Sequence, residues 1–152
     1  VTVTLRQRTR ADHVWLDTWL PAVAESVGYD ASSLDRAQKR LIIQRNIDEG
    51  RGTDAPGCAG IIVYRTGAPS RGDAIIELVA TPPEHARHGA GMEGAVLIEQ
   101  QLRSSHIRRI YAPAAATHGI AIYFWIRLGY RPLLRGEWPC ARAGVAWLAR
   151  DL

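Results

Sequence analysis

Glu77-Leu-Val-Ala-Thr-Pro-Pro-Glu-His-Ala-Arg-His-Gly-Ala-Gly91 is the stretch on which the fold turns. Its opening belongs to Ala74-Ile-Ile-Glu-Leu-Val-Ala80, whose β-branched and apolar residues predict a strand. Pro82 and Pro83 break that strand, and Gly89-Ala-Gly91 then opens a long helix in which Ala95, Ile98 and Leu102 share the buried face. A strand that runs through a tight turn into a helix places unpaired N–H groups at the turn, and such a helix start is an anion site. Glycine there lets backbone approach a pyrophosphate closely. A lone G-x-G occurs at many capped helices and names no ligand by itself.

Upstream, Cys58 to Arg65 is rich in β-branched and aromatic residues and predicts a strand. The breaker cluster Gly67 to Asp73 separates it from Ala74–Ala80, and so short a separation predicts an antiparallel hairpin. Val1-Thr-Val-Thr-Leu5 alternates apolar and polar residues, the period of a half-buried first strand. Thr9 and Asp12 resemble a capping pair for a helix carrying Val14, Leu16, Trp19, Leu20, Val23 and Val27, bent at Pro21 and closed by Gly28. Ser32 or Ser33 then caps a second predicted helix, with Leu34, Ala37, Leu41 and Ile47 on one face. Downstream, Ile107 to Ala112 reads as a strand. Thr117 or His118 caps a short helix with Ile120, Phe124 and Leu128 on one stripe, and Gly129 stands where a left-handed C-terminal cap is needed. Tyr130 to Leu134 and Gly144 to Leu148 supply two more strands. The expected order is β-α-α-β-β-α-β-α-β-β, an α/β fold with a mixed, mostly antiparallel central sheet flanked by helices.

The 152 residues are 47% hydrophobic and 22% charged, which fits one domain spanning 1–152. No apolar run approaches the roughly 18 residues of a membrane-spanning helix, and no basic-then-apolar leader opens the sequence, so cytoplasmic residence is expected. Cys58 and Cys140 lie far apart outside any C-x-x-C pair and read as inert thiols. The five histidines show no metal-ligand spacing, so no metal is expected. Net charge is +4, and all but Lys39 of the 19 basic side chains are arginine. A basic surface suits an anionic partner. The arginines are scattered, without a basic block or an aromatic-interleaved strand, which favours a phosphorylated cofactor over nucleic acid.

Val79-Ala80-Thr81, Pro83-Glu84 and Gly89-Ala90-Gly91, in that order, resemble the cofactor-binding motif of the GNAT superfamily of acetyl-coenzyme A-dependent N-acyltransferases. Some 30 residues on, Ala121-Ile-Tyr-Phe-Trp-Ile-Arg-Leu-Gly-Tyr130 is similar to the family's second signature, A-x-x-F-Y-x-x-x-G-F/Y. The family's order of elements also resembles the whole chain, with its second and third strands compressed here into one clear strand. Two departures stand out. Ala86 stands where the family's loop has Arg or Gln, and Arg87 follows where the family often has Gly. Trp125 stands where the family has the tyrosine that acts as general acid, and an indole N–H does not ionise at neutral pH.

The resemblance implies an N-acetyltransferase in which an amine attacks the thioester of acetyl-CoA directly. Coenzyme A would lie in a gap between two splaying strands, held by Val79, Ala80, Thr81, Ala86, Arg87, His88, Gly89, Ala90, Gly91 and Met92, with His118 and Phe124 of the later helix. Glu77 is the candidate base, acting through water, against the alternative of a sheet glutamate that points at solvent or at an arginine. His118 is the candidate acid, against that of a cap or cofactor contact; Tyr111 is a further possible acid, and Tyr123 reads as packing. Trp15, Trp19 and Trp125 read as core residues or as walls of an acceptor pocket. The acceptor is an unidentified small-molecule or peptide amine, held in this fold mainly by residues 10–52, and the family often forms homodimers. Because the motif arginine or glutamine and the tyrosine are missing, a non-catalytic CoA-binding or sensing domain is the alternative.

Overall fold

A computed structural model describes residues 3–30, 37–45, 57–86 and 88–152. The elements run β1 (Val3–Gln7), α1 (Asp12–Ser26), β2 (Lys39–Arg45), β3 (Cys58–Thr66), β4 (Asp73–Ala80), α2 (Ala90–Ser104), β5 (Arg109–Ala115), α3 (Gly119–Arg127), β6 (Arg131–Pro132) and β7 (Val145–Asp151). Seven strands form one sheet in the order β1-β2-β3-β4-β5-β7-β6. Every neighbouring pair is antiparallel except β4 and β5, which the α2 crossover makes parallel. The mixed, mostly antiparallel α/β fold is thus present, and the β3–β4 hairpin, α2, α3 and their glycine caps stand where the sequence puts them. Gly28 and Gly129 adopt φ of 76° and 92°, the left-handed caps the sequence calls for.

One element differs. In place of the second helix predicted from Leu34 to Ile47, residues 39–45 form β2, paired with β1 on one side and β3 on the other. The reason is burial on both faces. Ile43 points into the larger core under α2 and α3, and Ile42 into the core under α1, both 0% exposed. A strand covered on both sides loses its period-two alternation, and the Leu41-Ile42-Ile43 run then mimics a helical stripe. Ser32, Ser33, Leu34 and Ile47 lie outside the described residues.

Helix α2 packs so closely on the sheet that a Cβ on Gly94 would come within 2.8 Å of the Ile43 side chain. Buried Glu99 ties this helix to β7 by accepting from Arg150 Nη1 at 2.8 Å, and the same nitrogen donates to the Leu128 carbonyl at 2.7 Å. At the other end of the sheet, Asp12, the first residue of α1, reaches back to accept from the Thr9 N–H at 2.8 Å, while Arg6 grips both of its oxygens; no side chain among the described residues caps the helix itself.

Candidate functional site

The sheet opens at its one parallel junction. β4 and β5 pair only over Asp73–Ile75 and Arg109–Tyr111, and beyond Ile75 the two strands have no registered partners in one another. A β-bulge contributes to the divergence: Tyr64 pairs with Ile76 and Val63 with Leu78, so Glu77 is the extra residue. A bulge bends its strand and re-aims a side chain. Between the diverging strands lies a cavity of about 400 Å³, with Glu77, Leu78, Val79, Ala80 and Thr81 on one wall and Pro113 and Ala114 on the other. Val23 and Val27 of α1 face it from one side, and His118, Phe124 and Trp125 at α3 from another.

At the far end of β4 the chain turns through Pro83–His85 into α2. Gly89 takes φ of 83° as the residue before the helix, and no side chain among the described residues caps the first turn. Glu93 N–H bonds back to the Gly89 carbonyl at 3.0 Å, so the N–H groups of Ala90, Gly91 and Met92 precede the intrahelical ladder. A Cβ on Gly91 would sit 3.6 Å from Val79 and 3.7 Å from both Thr81 and Phe124, which places the strand exit, the helix start and α3 at a single point. Ala86 lines the cavity, whereas His88 and Gly89 are exposed beside it. Arg87 lies outside the described residues.

Glu77 is 4% exposed and doubly bound. Arg142, from the loop between β6 and β7, donates Nη1 to Oε2 at 2.7 Å and Nη2 to Oε1 at 3.0 Å. Arg65 Nε stands 3.3 Å from Oε1 as an ion pair outside good hydrogen-bond geometry. Sequence reasoning set a catalytic base against a sheet glutamate that points at solvent or at an arginine; the structure shows the arginine and not the solvent, and the ion-paired residue also lines the cavity. Arg142 and Arg65 were not foreseen. The available signal was a lone carboxylate inside Ile75-Ile76-Glu77-Leu78-Val79, where burial demands a cation.

His118 is the N-cap of α3, its Nδ1 accepting the Ala121 N–H at 3.0 Å. That acceptor role places the ring proton on Nε2, in a half-buried side chain that lines the cavity. Trp125 is 4% exposed, with Phe124 at 5.1 Å and Tyr130 at 4.8 Å between ring centroids. Tyr123 corrects the expectation of packing: it is 59% exposed, with Arg127 over its ring at 5.8 Å, because two residues of helix turn it to the side opposite Trp125. Tyr111 is buried against Ile75, Leu133 and Trp147 and does not line the cavity. Of the α1 tryptophans, Trp19 is buried against Trp15 at 5.2 Å, and neither lines the cavity.

No family model and no curated protein matches the sequence. Among solved structures, the chain is similar over 98% of its length to 98% of a GNAT-family acetyltransferase from Staphylococcus aureus, with a TM-score of 0.74 and 10% identity. An acetyltransferase from Thermus thermophilus matches 100% of this chain over 98% of its own, with a TM-score of 0.72 and 18% identity. Spermidine N-acetyltransferase from Vibrio cholerae, solved with CoA and spermine, matches 99% of this chain over 95% of its own, with a TM-score of 0.68 and 16% identity. At these identities what is shared is the fold. Among the described residues, no helix is long and apolar enough to cross a membrane.

Proposed function

We propose that this chain, which has the fold of the GNAT acetyltransferases, is an N-acetyltransferase that moves an acetyl group from acetyl-CoA to an amine by direct attack. The observation that carries this reading is the conjunction at one cleft of three features: an unpaired β4 edge, an uncapped helix start, and a buried carboxylate in the lining where the strands begin to diverge. Acetyl-CoA contributes an activated thioester, and the remaining work belongs to the chain.

The residues present fit that cosubstrate. The uncapped N–H groups at Ala90, Gly91 and Met92 suit a pyrophosphate, since a helix start offers both donors and the positive end of the dipole. Val79, Ala80 and Thr81 offer backbone groups on an edge where β5 has departed, and an extended amide chain is recognised by adding to such an edge. Ala86, Phe124 and His118 complete the wall toward α3, with His88 exposed beside it. Ala86 supplies no charge where the family motif carries it, so the backbone donors bear more of the load.

An acceptor amine must lose a proton to become nucleophilic, and Glu77 is the group we assign to receive it, relayed by water because both oxygens already accept from Arg142. The departing thiolate needs little help, since a thiol of pKa about 8.5 leaves tolerably. His118 Nε2–H is the donor we place nearest to it, as Trp125 has no proton to give at neutral pH.

Gly91→Glu tests the reading. The new carboxylate would point toward Val79, Thr81 and Phe124 and oppose an anion at the helix start. Calorimetry is expected to show acetyl-CoA binding to the native protein and its loss in the variant. Undiminished binding in Gly91→Glu would move the site elsewhere, and a native protein that binds no acetyl-CoA at millimolar concentration would overturn the function. A protein that binds acetyl-CoA but acetylates no amine would be the sensing domain instead.

A further inference from the structure

Arg142 faces two ways. Besides gripping Glu77 in the cleft, it lines a neighbouring cavity of about 650 Å³ together with Arg135, Trp138, Cys140 and Val145. Among the described residues, two guanidinium groups line that cavity and no Asp or Glu does. Glu137, the acid nearest to Arg135 in sequence, is turned away: it pairs with Arg131 and accepts the Leu134 N–H at 2.9 Å.

The arginine is also built to take a second anion. A guanidinium carries five N–H donors; the fork onto Glu77 uses one from each terminal nitrogen and the Cys140 thiol is a further partner, which leaves donors over for an anion. Its side chain remains 35% exposed, and its plane is steadied by Trp147, whose ring centre lies 4.9 Å away. An arginine held by stacking loses less freedom when it binds. Arg135 is held in the same way over Trp138, at 5.5 Å.

Building on the transfer reading, we propose that the acceptor is an amine that also carries an anionic group, carboxylate or phosphonate-like. Its ammonium end sits beside Glu77, and its anion sits on the outer edge of Arg142, with Arg135 as the second cation. The Glu77–Arg142 pair is then a complement to a zwitterion: one member faces each pole. Val23 and Val27 over the cleft take the apolar part of such a molecule. A polyamine is disfavoured at this site, because its second ammonium would meet two guanidiniums and no carboxylate.

Initial rates with acetyl-CoA decide it, using a panel of α- and ω-amino acids, the aminophosphonates of the same skeletons, and the amines that lack the acid group. A charge-assisted pair of hydrogen bonds predicts that the better acid-bearing series exceeds its acid-free counterparts by at least about tenfold in kcat/KM, expressed mainly in KM. The carboxylate and phosphonate arms show which anion the groove prefers. Arg142→Lys keeps the charge on Glu77 but loses the planar fork, and it is expected to shrink that preference to within about threefold. Arg135→Ala, at an exposed position, is expected to narrow it to a smaller degree. Acid-free amines that match or outpace their acids overturn the proposal, as does an unchanged preference in Arg142→Lys. If no acid is acetylated while acetyl-CoA still binds, the anion assignment fails and cofactor binding stands; if acetyl-CoA itself does not bind, it is the transfer reading that fails.

Discussion

Two buried carboxylates, Asp12 at the start of α1 and Glu77 in the bulge of β4, are held by arginine in nearly the same way. Asp12 is 6% exposed and accepts from Arg6 at 2.7 and 2.8 Å; Glu77 is 4% exposed and accepts from Arg142 at 2.7 and 3.0 Å. Each arginine side chain is 35% exposed. The difference lies in what else the partners do. Asp12 also accepts the Thr9 N–H and hydroxyl, and Arg6 spends its further donors on Gln44, the Gln7 carbonyl and the Cys58 thiol. Arg142 spends its fork on Glu77 and looks into a second cavity, while Glu77 looks into the first. An ion pair closed on itself fastens a helix to a sheet, whereas one that borders open space on both members can meet a ligand.

The sharpest way to break that contrast is to remove the charge from each carboxylate and read both activity and stability. Glu77→Gln is expected to lower the acetylation rate about 100-fold near neutral pH, the usual scale for loss of a general base. The deficit is expected to shrink at higher pH, where free amine is abundant without a base. A loss equal at every pH would assign Glu77 to structure, as its counterpart Asp12 is, and a native rate would remove it from the chemistry.

Asp12→Ala is the mirror experiment. Breaking a buried pair costs about 3–5 kcal/mol, and the exposure of Arg6 brings the expected loss down to about 2 kcal/mol in urea unfolding. Acetylation per folded molecule is expected to stay within about twofold, a barrier change of about 0.4 kcal/mol, because Asp12 does not line the cleft. Acid sharpens the comparison. The Arg6 guanidinium holds the Asp12 carboxyl well below the usual carboxylate range, against the opposing effect of burial. Its stabilisation is therefore complete above the unfolded value of about 4 and is lost as pH falls toward the folded one. Urea midpoints from about pH 6 down to about pH 2 are expected to fall more steeply for the native protein than for Asp12→Asn, which has no proton to gain. Parallel slopes would mean that the pair contributes nothing to acid stability.

The same contrast explains what the sequence made legible. The part of the cleft proposed for the cofactor is one continuous stretch, residues 77–91, in which prolines and glycines mark every change of direction, so Gly89, Gly91 and the strand before them were readable without any long-range contact. His118 was readable as a cap for the same local reason. The part proposed for the acceptor is assembled from distant pieces. Glu77 and Arg142 are 65 residues apart, and nothing in the spacing of a chain with so many arginines marks one of them as the partner. β2 was hidden by burial on both faces, and Tyr123 was misjudged because α3 is apolar nearly all round, with Ile126 exposed as well as Tyr123.

The smallest expected effect concerns Trp125, where the contrast passes from ion pairs to packing. Its ring lines the cleft, as Glu77 does, yet its neighbours Phe124 and Tyr130 enclose it as fully as Thr9 and Arg6 enclose Asp12. If enclosure marks a structural part, then replacing the indole with a phenol changes little chemistry even though the phenol can donate a proton. Trp125→Tyr removes part of a large buried ring and is expected to cost about 1–2 kcal/mol of stability, at the low end for truncating a core aromatic. Acetyl-CoA binding is expected to be retained, because the wall stays aromatic. The thiolate leaves without much assistance, so the rate is expected to rise by less than about tenfold, below the usual yield of a general acid. A gain of about 100-fold, the yield of a general acid, would show that the missing acid limits the native protein and that an enclosed side chain can still take part in the reaction. A fall in rate with intact cofactor binding would assign Trp125 to the acceptor wall and leave His118 as the proton donor.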